Sequence, residues 1–142
     1  MNPESLIHAD GRVVAAIDAS AYTGSVCRHA AWAAGRLGAP LSMVHVIDPA
    51  DRVAPLDLAG NLILGERELG DAARVLDGAG LHATTEVIDG HPEEALAAYV
   101  DRQRIDLLVM GAYGHSRIRQ LIVGSTTTAV MHSCQVPVLL LR

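Results

Sequence analysis

The sequence has 142 residues, half of them hydrophobic, which is enough to bury the core of one domain and leaves no room for a tandem second copy. Its formal net charge of −5 gives no long-range attraction for nucleic acid or for an anionic membrane, so neither partner is expected. All eleven basic residues are arginines, and the absence of lysine excludes a P-loop and Schiff-base chemistry.

The amino-terminal residues and the cysteines bear on where the protein acts. The first twelve residues, MNPESLIHADGR, contain no basic segment followed by an apolar core, and no run approaches the about 18 apolar residues of a membrane-spanning helix. We therefore expect a cytoplasmic protein without membrane insertion. Cys27 and Cys134 form no C-x-x-C pattern, so both are expected to be small buried hydrophobic residues. The histidines show no metal-binding spacing, and no metal site built by the protein is predicted.

Short apolar runs alternate along the chain with segments in which apolar residues recur at helical spacing. Each apolar run predicts a buried strand, and the strands are expected at residues 12–18, 41–47, 81–88, 106–110 and 136–141. Two helices are predicted by apolar stripes that run from Val26 to Leu37 and from Leu69 to Ala79. A third helix is expected from Pro92 onward, and the segment 127–135 can form a short fourth one. The prolines and polar residues of 48–60 predict a long loop before the second helix.

The resulting order, βαβαβαβαβ, predicts an α/β fold in one domain over residues 1–142. Right-handed crossovers give a doubly wound, five-stranded parallel sheet with helices on both faces and the strand order 3-2-1-4-5. In such sheets a ligand binds outside the carboxyl ends of the strands, where the topology reverses. A binding site is therefore expected at the loops that follow strands one and four.

The loop after the fourth strand has the composition of an anion site. Gly111 and Gly114 lack a Cβ atom, so the backbone can approach a ligand closely and present its N–H groups. Gly124 precedes a predicted helix start with four consecutive hydroxyl residues, 125–128, whose N–H and O–H groups can donate to phosphate oxygens. Together they predict a polyphosphate site. The alternative is that Ser125 is an ordinary helix N-cap and that the glycines serve only the loop.

Four further residues near these loops have two interpretations each. Asp18, at the end of the first strand, could accept hydrogen bonds from ribose hydroxyls or an adenine amine, or could cap the following helix. Arg117 and Arg119 could neutralise phosphate charge or remain solvated. His115 could donate to a phosphate or act as a general base, but no orienting carboxylate is recognisable beside it. No catalytic residue is assigned.

The glycine spacing resembles the motif of the ATP-binding members of the universal stress protein family: Gly, two residues, Gly, nine residues, then Gly followed by Ser or Thr. The resemblance covers nearly the whole chain and includes the segments AAIDAS, VHVID, GHPEEAL, DLLVMGAYGHS and VPVLLL. It implies ATP as the ligand, with Mg²⁺ bound by the phosphate oxygens. With His115 added from the residues themselves, the predicted cofactor-binding residues are Ile17, Asp18, Val46, Met110, Gly111, Gly114, His115, Gly124, Ser125, Thr126 and Thr127.

The resemblance also implies a homodimer through the last strand, Val136 to Leu141, because an apolar edge strand left open invites aggregation. The leading hypothesis is a stress-response regulator in which bound ATP orders the 48–60 loop and changes the surface shown to a protein partner. One alternative is a slow ATPase, or an enzyme that phosphorylates itself on Ser125 or Thr126. Another is a dimeric adaptor that regulates a partner such as a membrane transporter.

Overall fold

The computed structural model describes residues 12–17, 23–47, 58–78, 80–112 and 125–141. Strands and helices alternate along these segments in the predicted order. Their bounds are β1 (Arg12–Ala16), α1 (Thr23–Leu37), β2 (Leu41–Ile47), α2 (Leu58–Gly78), β3 (Ala83–Asp89), α3 (Pro92–Arg102), β4 (Ile105–Gly111), α4 (Ser125–Ser133) and β5 (Val138–Leu141).

The five strands form one sheet with the order β3-β2-β1-β4-β5, and all four neighbouring pairs are parallel. β1 is the central strand, since Val13 pairs with Leu41 of β2 on one side and with Leu107 of β4 on the other. β3 and β5 are the edges. The predicted strand order is confirmed.

Side chains that alternate along β1 divide the core between the two faces of the sheet. Val13 and Ala15 belong to a buried cluster that also contains the apolar faces of α1 and α2. Val14 belongs to a second cluster, which contains Tyr99 of α3 and Val130 of α4. The helices therefore cover both faces in pairs, as predicted for a doubly wound sheet.

The start of α2 differs from the sequence expectation. The segment 48–60 was expected to be a loop throughout, but α2 begins at Leu58, so its last three residues are helical. Pro55 is the last proline before this point, and the following LAGNLIL contains good helix formers, which favour an earlier start. The remainder of that predicted loop lies outside the described residues. No helix in the described segments is both long and apolar enough to cross a lipid bilayer.

Smaller boundary differences, of one or two residues, occur at the ends of several elements, including β3 and β4. The paired part of β1 ends at Ala16, not at residue 18. α4 begins at Ser125, at the helix start that the hydroxyl residues 125–128 predicted, and ends at Ser133, two residues before the end of the predicted span 127–135. Pro137 precedes β5, which is consistent with its missing N–H donor.

α1 ends at a glycine, as the sequence predicted. Gly38 has φ of 61°, in the left-handed region, and the N–H of Ala39 donates to the carbonyl of Ala34 at 2.9 Å. These features form a common helix terminus, in which the glycine takes a conformation that is costly for residues with a Cβ atom.

The two glycines at the end of α1 are expected to respond oppositely to alanine. Gly38→Ala should lower the free energy of unfolding by about 1 kcal/mol, because φ is positive there. Gly35→Ala should raise it by about 0.5 kcal/mol, because Gly35 is helical and a Cβ there meets no atom within 4 Å. Urea denaturation of both variants measures the difference, and a shift of the same sign in both would contradict this account of the helix end.

The two cysteines differ in burial. Cys27 of α1 is buried in the first core cluster, as predicted, whereas Cys134 is only half-buried. The prediction of burial is wrong for Cys134 because this residue follows the last turn of α4 and packs at the margin of the second cluster. Burial raises the pKa of both thiols, so neither is activated as a thiolate.

Candidate functional site

The strand order reverses between β1 and β4, and in open α/β sheets the carboxyl ends of two such strands border the ligand-binding crevice. β1 is followed by α1, which packs on one face of the sheet, whereas β4 is followed by α4, which packs on the other. The chain therefore leaves the two neighbouring strands toward opposite faces. Ala15 pairs with Val109, so Ile17 and Gly111, each two residues further on, border the same crevice. This is the position at which the sequence predicted a binding site.

Ile17 is fixed at the end of β1 by two hydrogen bonds. Its N–H donates to the carbonyl of Val44 at 2.8 Å, and its carbonyl accepts from Nδ1 of His45 at 2.7 Å. A carbonyl can only accept, so Nδ1 of His45 carries the proton. The side chain of Ile17 is buried in the cluster beneath α1 and α2. The backbone that leads into Asp18 is thus anchored from β2.

The first turn of α4 is connected directly to the end of β4. Thr127 is 3% exposed, and its hydroxyl donates to the carbonyl of Gly111 at 3.3 Å. Gly111 also pairs with Leu141, and the N–H of Ala112 donates to the carbonyl of Leu141 at 2.9 Å. The amino end of α4, where the helix dipole is positive and N–H groups lack helical partners, therefore lies beside the crevice.

The structure brings some of the predicted site residues together and separates others. Gly111 and Thr127 are in contact, and Ile17 is across the crevice. Val46 and Met110 pack on the α3 and α4 face of the sheet, whereas the side chain of Ile17 is on the opposite face. Ile17 and Val46 thus flank the end of the sheet from two sides. Outside the described residues lie Asp18, Gly114, His115 and Gly124. For Ser125 and Thr126 the structure describes the backbone but not the side chains.

The sequence did not predict a role for His45, because its spacing to the other histidines fits no metal site. It lies in an otherwise largely apolar strand, LSMVHVI, next to the central strand. A polar side chain near the carboxyl end of such a strand is the feature that could have identified it. Among the residues that the structure describes, no three His, Cys, Asp or Glu side chains are close enough together to bind a metal ion.

A second polar cluster lies at the opposite, amino end of the sheet and has a structural role. Oγ of the buried Ser42 is 2.8 Å from Oγ1 of Thr84, and burial raises the pKa of Tyr99 although its side chain is hydrogen-bonded to Ser42. Arg102 lies over the Tyr99 ring, 5.9 Å from its centre, and is 3.8 Å from the Glu86 carboxylate. These contacts connect α3 to β2 and β3.

Thr127→Val is expected to lower the free energy of unfolding by about 1 kcal/mol, because valine fills the same volume but cannot donate to the carbonyl of Gly111. Thr85→Val is the matched control, since Thr85 is exposed on β3 and should change stability by less than about 0.5 kcal/mol. Urea denaturation measures both. If Thr127→Val is as stable as Thr85→Val, the contact between α4 and β4 does not stabilise the protein.

The sequence model of the Universal stress protein family matches residues 11–142. The chain belongs to this family. Universal stress protein Slr1230 of Synechocystis is 50% identical over 74 residues, which are 52% of this chain and 26% of that protein. The chain thus spans about a quarter of the length of this relative. Universal stress protein MJ0531 of Methanocaldococcus jannaschii is 23% identical over 138 residues, covering 92% of this chain and 81% of that protein.

Solved structures share the fold of this universal stress protein. Protein MJ0577 of the same archaeon superposes with a TM-score of 0.79 at 19% identity, covering 94% of this chain and 96% of that one. A universal stress protein of Archaeoglobus fulgidus in complex with dAMP superposes with a TM-score of 0.74 at 20% identity, covering 93% of this chain and 98% of that one. A universal stress protein in complex with cAMP also superposes with a TM-score of 0.74, at 23% identity, covering 95% of this chain and 99% of that one. At these identities the likeness establishes the fold, and two of these proteins contain an adenine nucleotide.

Proposed function

We propose that this universal stress protein is an ATP-binding regulator of a cytoplasmic stress response. The observation that carries the proposal is the hydrogen bond from Thr127 to Gly111, which holds the amino end of α4 beside the carboxyl end of β4. These two elements flank the segment with the glycine spacing, Gly111 to Ser125. A helix amino end and glycine backbone at one edge of a parallel sheet favour a phosphate-bearing ligand.

The groups described around the crevice fit a nucleotide better than a bare metal ion. They are the backbone N–H groups of the first turn of α4 on one side and apolar side chains on the β1 and β2 side. The first set donates to phosphate oxygens, and the second suits the faces of a base. Mg²⁺ would be bound by the phosphate oxygens, where it neutralises part of their charge. The complexes of two neighbours with dAMP and cAMP support a site for adenine nucleotides.

The proposed contacts follow the path from β1 to α4. Adenine lies near Ile17, Asp18 and Val46, and the ribose and first phosphate lie along the Met110 to Gly114 backbone. The remaining phosphates extend to the amino end of α4, with His115 as a further donor. Because the hydroxyl proton of Thr127 is used at Gly111, phosphate contacts at Thr127 are assigned to its backbone N–H. The hydroxyl donors on this side are then Ser125 and Thr126.

The nucleotide carried by the purified protein tests the proposal directly. The protein is denatured, the supernatant is separated by ion exchange, and the affinities of emptied protein for ATP and AMP are measured by titration calorimetry. ATP should bind at least about tenfold more tightly than AMP, because the amino end of α4 contacts the outer phosphates. Equal affinity would make this a mononucleotide site. Protein that carries no nucleotide and ignores added ATP would contradict the proposal.

A homodimer through β5 is part of the same proposal. β5 is an edge strand, and Val138, Leu139 and Leu140 remain partly exposed in the single chain. The carbonyls of Pro137 and Leu141 accept from the β4 side, so the backbone groups of Val138 and Leu140, which alternate with them, point to the open edge. A second copy can pair there or pack on the partly exposed side chains.

Leu140→Pro is expected to convert this dimer to a monomer. Proline removes the N–H that Leu140 directs to the open edge, and the N–H groups directed at β4 stay in place. Sedimentation velocity measures the mass of the wild type and the variant, with circular dichroism as the control for folding. A wild type that sediments as a monomer at tens of micromolar, or a folded variant that remains a dimer, would contradict pairing through β5.

A further inference from the structure

His45 occupies a distinctive place beside the candidate site. It lies near the end of β2, where the last paired residues of the two strands are Ala16 and Val44. Beyond that pair the N–H of Ile17 still donates to the carbonyl of Val44, but its own carbonyl accepts from an imidazole. A side chain therefore fixes the peptide group through which the chain leaves β1.

The distance and the burial indicate that this contact is strong. Nδ1 of His45 is 2.7 Å from the carbonyl oxygen of Ile17, at the short end of the range for such bonds, and the pair is partly buried. A partly buried hydrogen bond is less exposed to competition from water than a surface one. The imidazole has only two rotatable bonds, so its order costs less entropy than that of a longer donor such as arginine.

We propose that His45 is the positioning residue of the nucleotide site: by fixing the carbonyl of Ile17 it orients the peptide group through which the chain leaves β1. The effect on nucleotide affinity rests on the proposed function, whereas the effect on the end of β1 does not. His45 acts through Ile17, because its Nδ1 proton is used there. Without this bond, part of the binding energy of a nucleotide would be spent on ordering the end of β1.

Three variants of β2 distinguish an effect of His45 on the position of Ile17 from a general loss of stability. His45→Leu removes the donor but keeps a side chain of similar size, and His45→Asn retains an N–H donor close to the position of Nδ1. Ser42→Ala removes a different hydrogen bond of β2, at the amino end of the sheet, and serves as the matched control for a general loss of stability. The free energy of unfolding of each is measured by urea denaturation.

The first readout needs no nucleotide. Amide hydrogen exchange at Ile17 is measured by NMR in the empty proteins and compared at equal global stability. His45→Leu should accelerate exchange at Ile17 at least about fivefold, while His45→Asn and Ser42→Ala stay near the wild type. A long-range proton–nitrogen correlation spectrum should show the proton on Nδ1 in the neutral imidazole of the wild type. Unchanged exchange in His45→Leu, or a proton on Nε2 alone, would overturn the proposal.

The second readout is the affinity for ATP. It should fall about fivefold in His45→Leu, recover largely in His45→Asn, and remain unchanged in Ser42→Ala. If the wild type binds ATP and His45→Leu binds it equally well, positioning of the site by His45 is wrong and the proposed function stands. If the wild type ignores ATP, the proposed function fails, and exchange at Ile17 alone decides whether His45 fixes the end of β1.

Discussion

Replacing Gly114 and Gly124 together by valine is expected to weaken ATP binding by about 100-fold or more while the protein remains folded. A β-branched side chain at either position places atoms where the backbone would approach phosphate oxygens, and it disfavours the positive φ angles that glycine supplies in anion-binding turns. Gly111 and Thr127, on either side of this segment, hold its two ends together. Titration calorimetry and the nucleotide content of the purified variant provide the measurement.

Gly35→Val is the matched control for that experiment. Gly35 lies on the exposed side of α1, and a Cβ there meets no atom within 4 Å, so the same change of residue should leave ATP affinity unaltered. If the double variant is folded and binds ATP like the wild type, the glycines serve only the loop and do not contact phosphate. If the wild type itself carries no ATP and ignores added ATP, the dimeric adaptor is the better hypothesis.

The fold could be predicted from the sequence because its determinants are local. Each strand is a short apolar run, each helix shows an apolar stripe, and the alternation of the two leaves few topologies for a parallel sheet. One error occurred where a tertiary contact is involved. The pairing of β1 ends at Ala16, and the next carbonyl, that of Ile17, accepts from a side chain distant in sequence, His45. The early start of α2 at Leu58 is a different kind of error with a local cause, since no proline follows Pro55 before Leu58.

The site could be predicted only in outline. The reversal of strand order placed it at the ends of β1 and β4, and the glycine spacing suggested its ligand. The two contacts that fix its geometry join residues 28 and 16 positions apart, and no local pattern indicates them. Thr127 shows how far the sequence alone can describe the site. Four successive hydroxyl residues predict donors to an anion, but only the packing of α4 reveals that this one is buried and donates to Gly111.

Leu108→Ala is expected to lower the free energy of unfolding by about 3 kcal/mol and the melting temperature by roughly 10 °C. Leu108 is 0% exposed and lies in the middle of β4, in the cluster formed with Val14, Tyr99 and Val130. Alanine there removes apolar contacts to the sheet and both helices of that face and leaves a cavity that the surrounding elements cannot fill. Urea denaturation and calorimetry measure the loss.

Leu37→Ala is the control for this prediction, since Leu37 is 50% exposed at the end of α1 and should cost less than about 1 kcal/mol. Equal losses in the two variants would contradict the assignment of Leu108 to the core. The same pair also separates stability from binding. Leu108 does not border the crevice, so ATP at about 100 times its dissociation constant should stabilise wild type and Leu108→Ala alike, by about 2.7 kcal/mol. At the same ATP concentration the double glycine variant should gain at most about 0.4 kcal/mol. An increment missing from Leu108→Ala as well would mean that this core determines the geometry of the site.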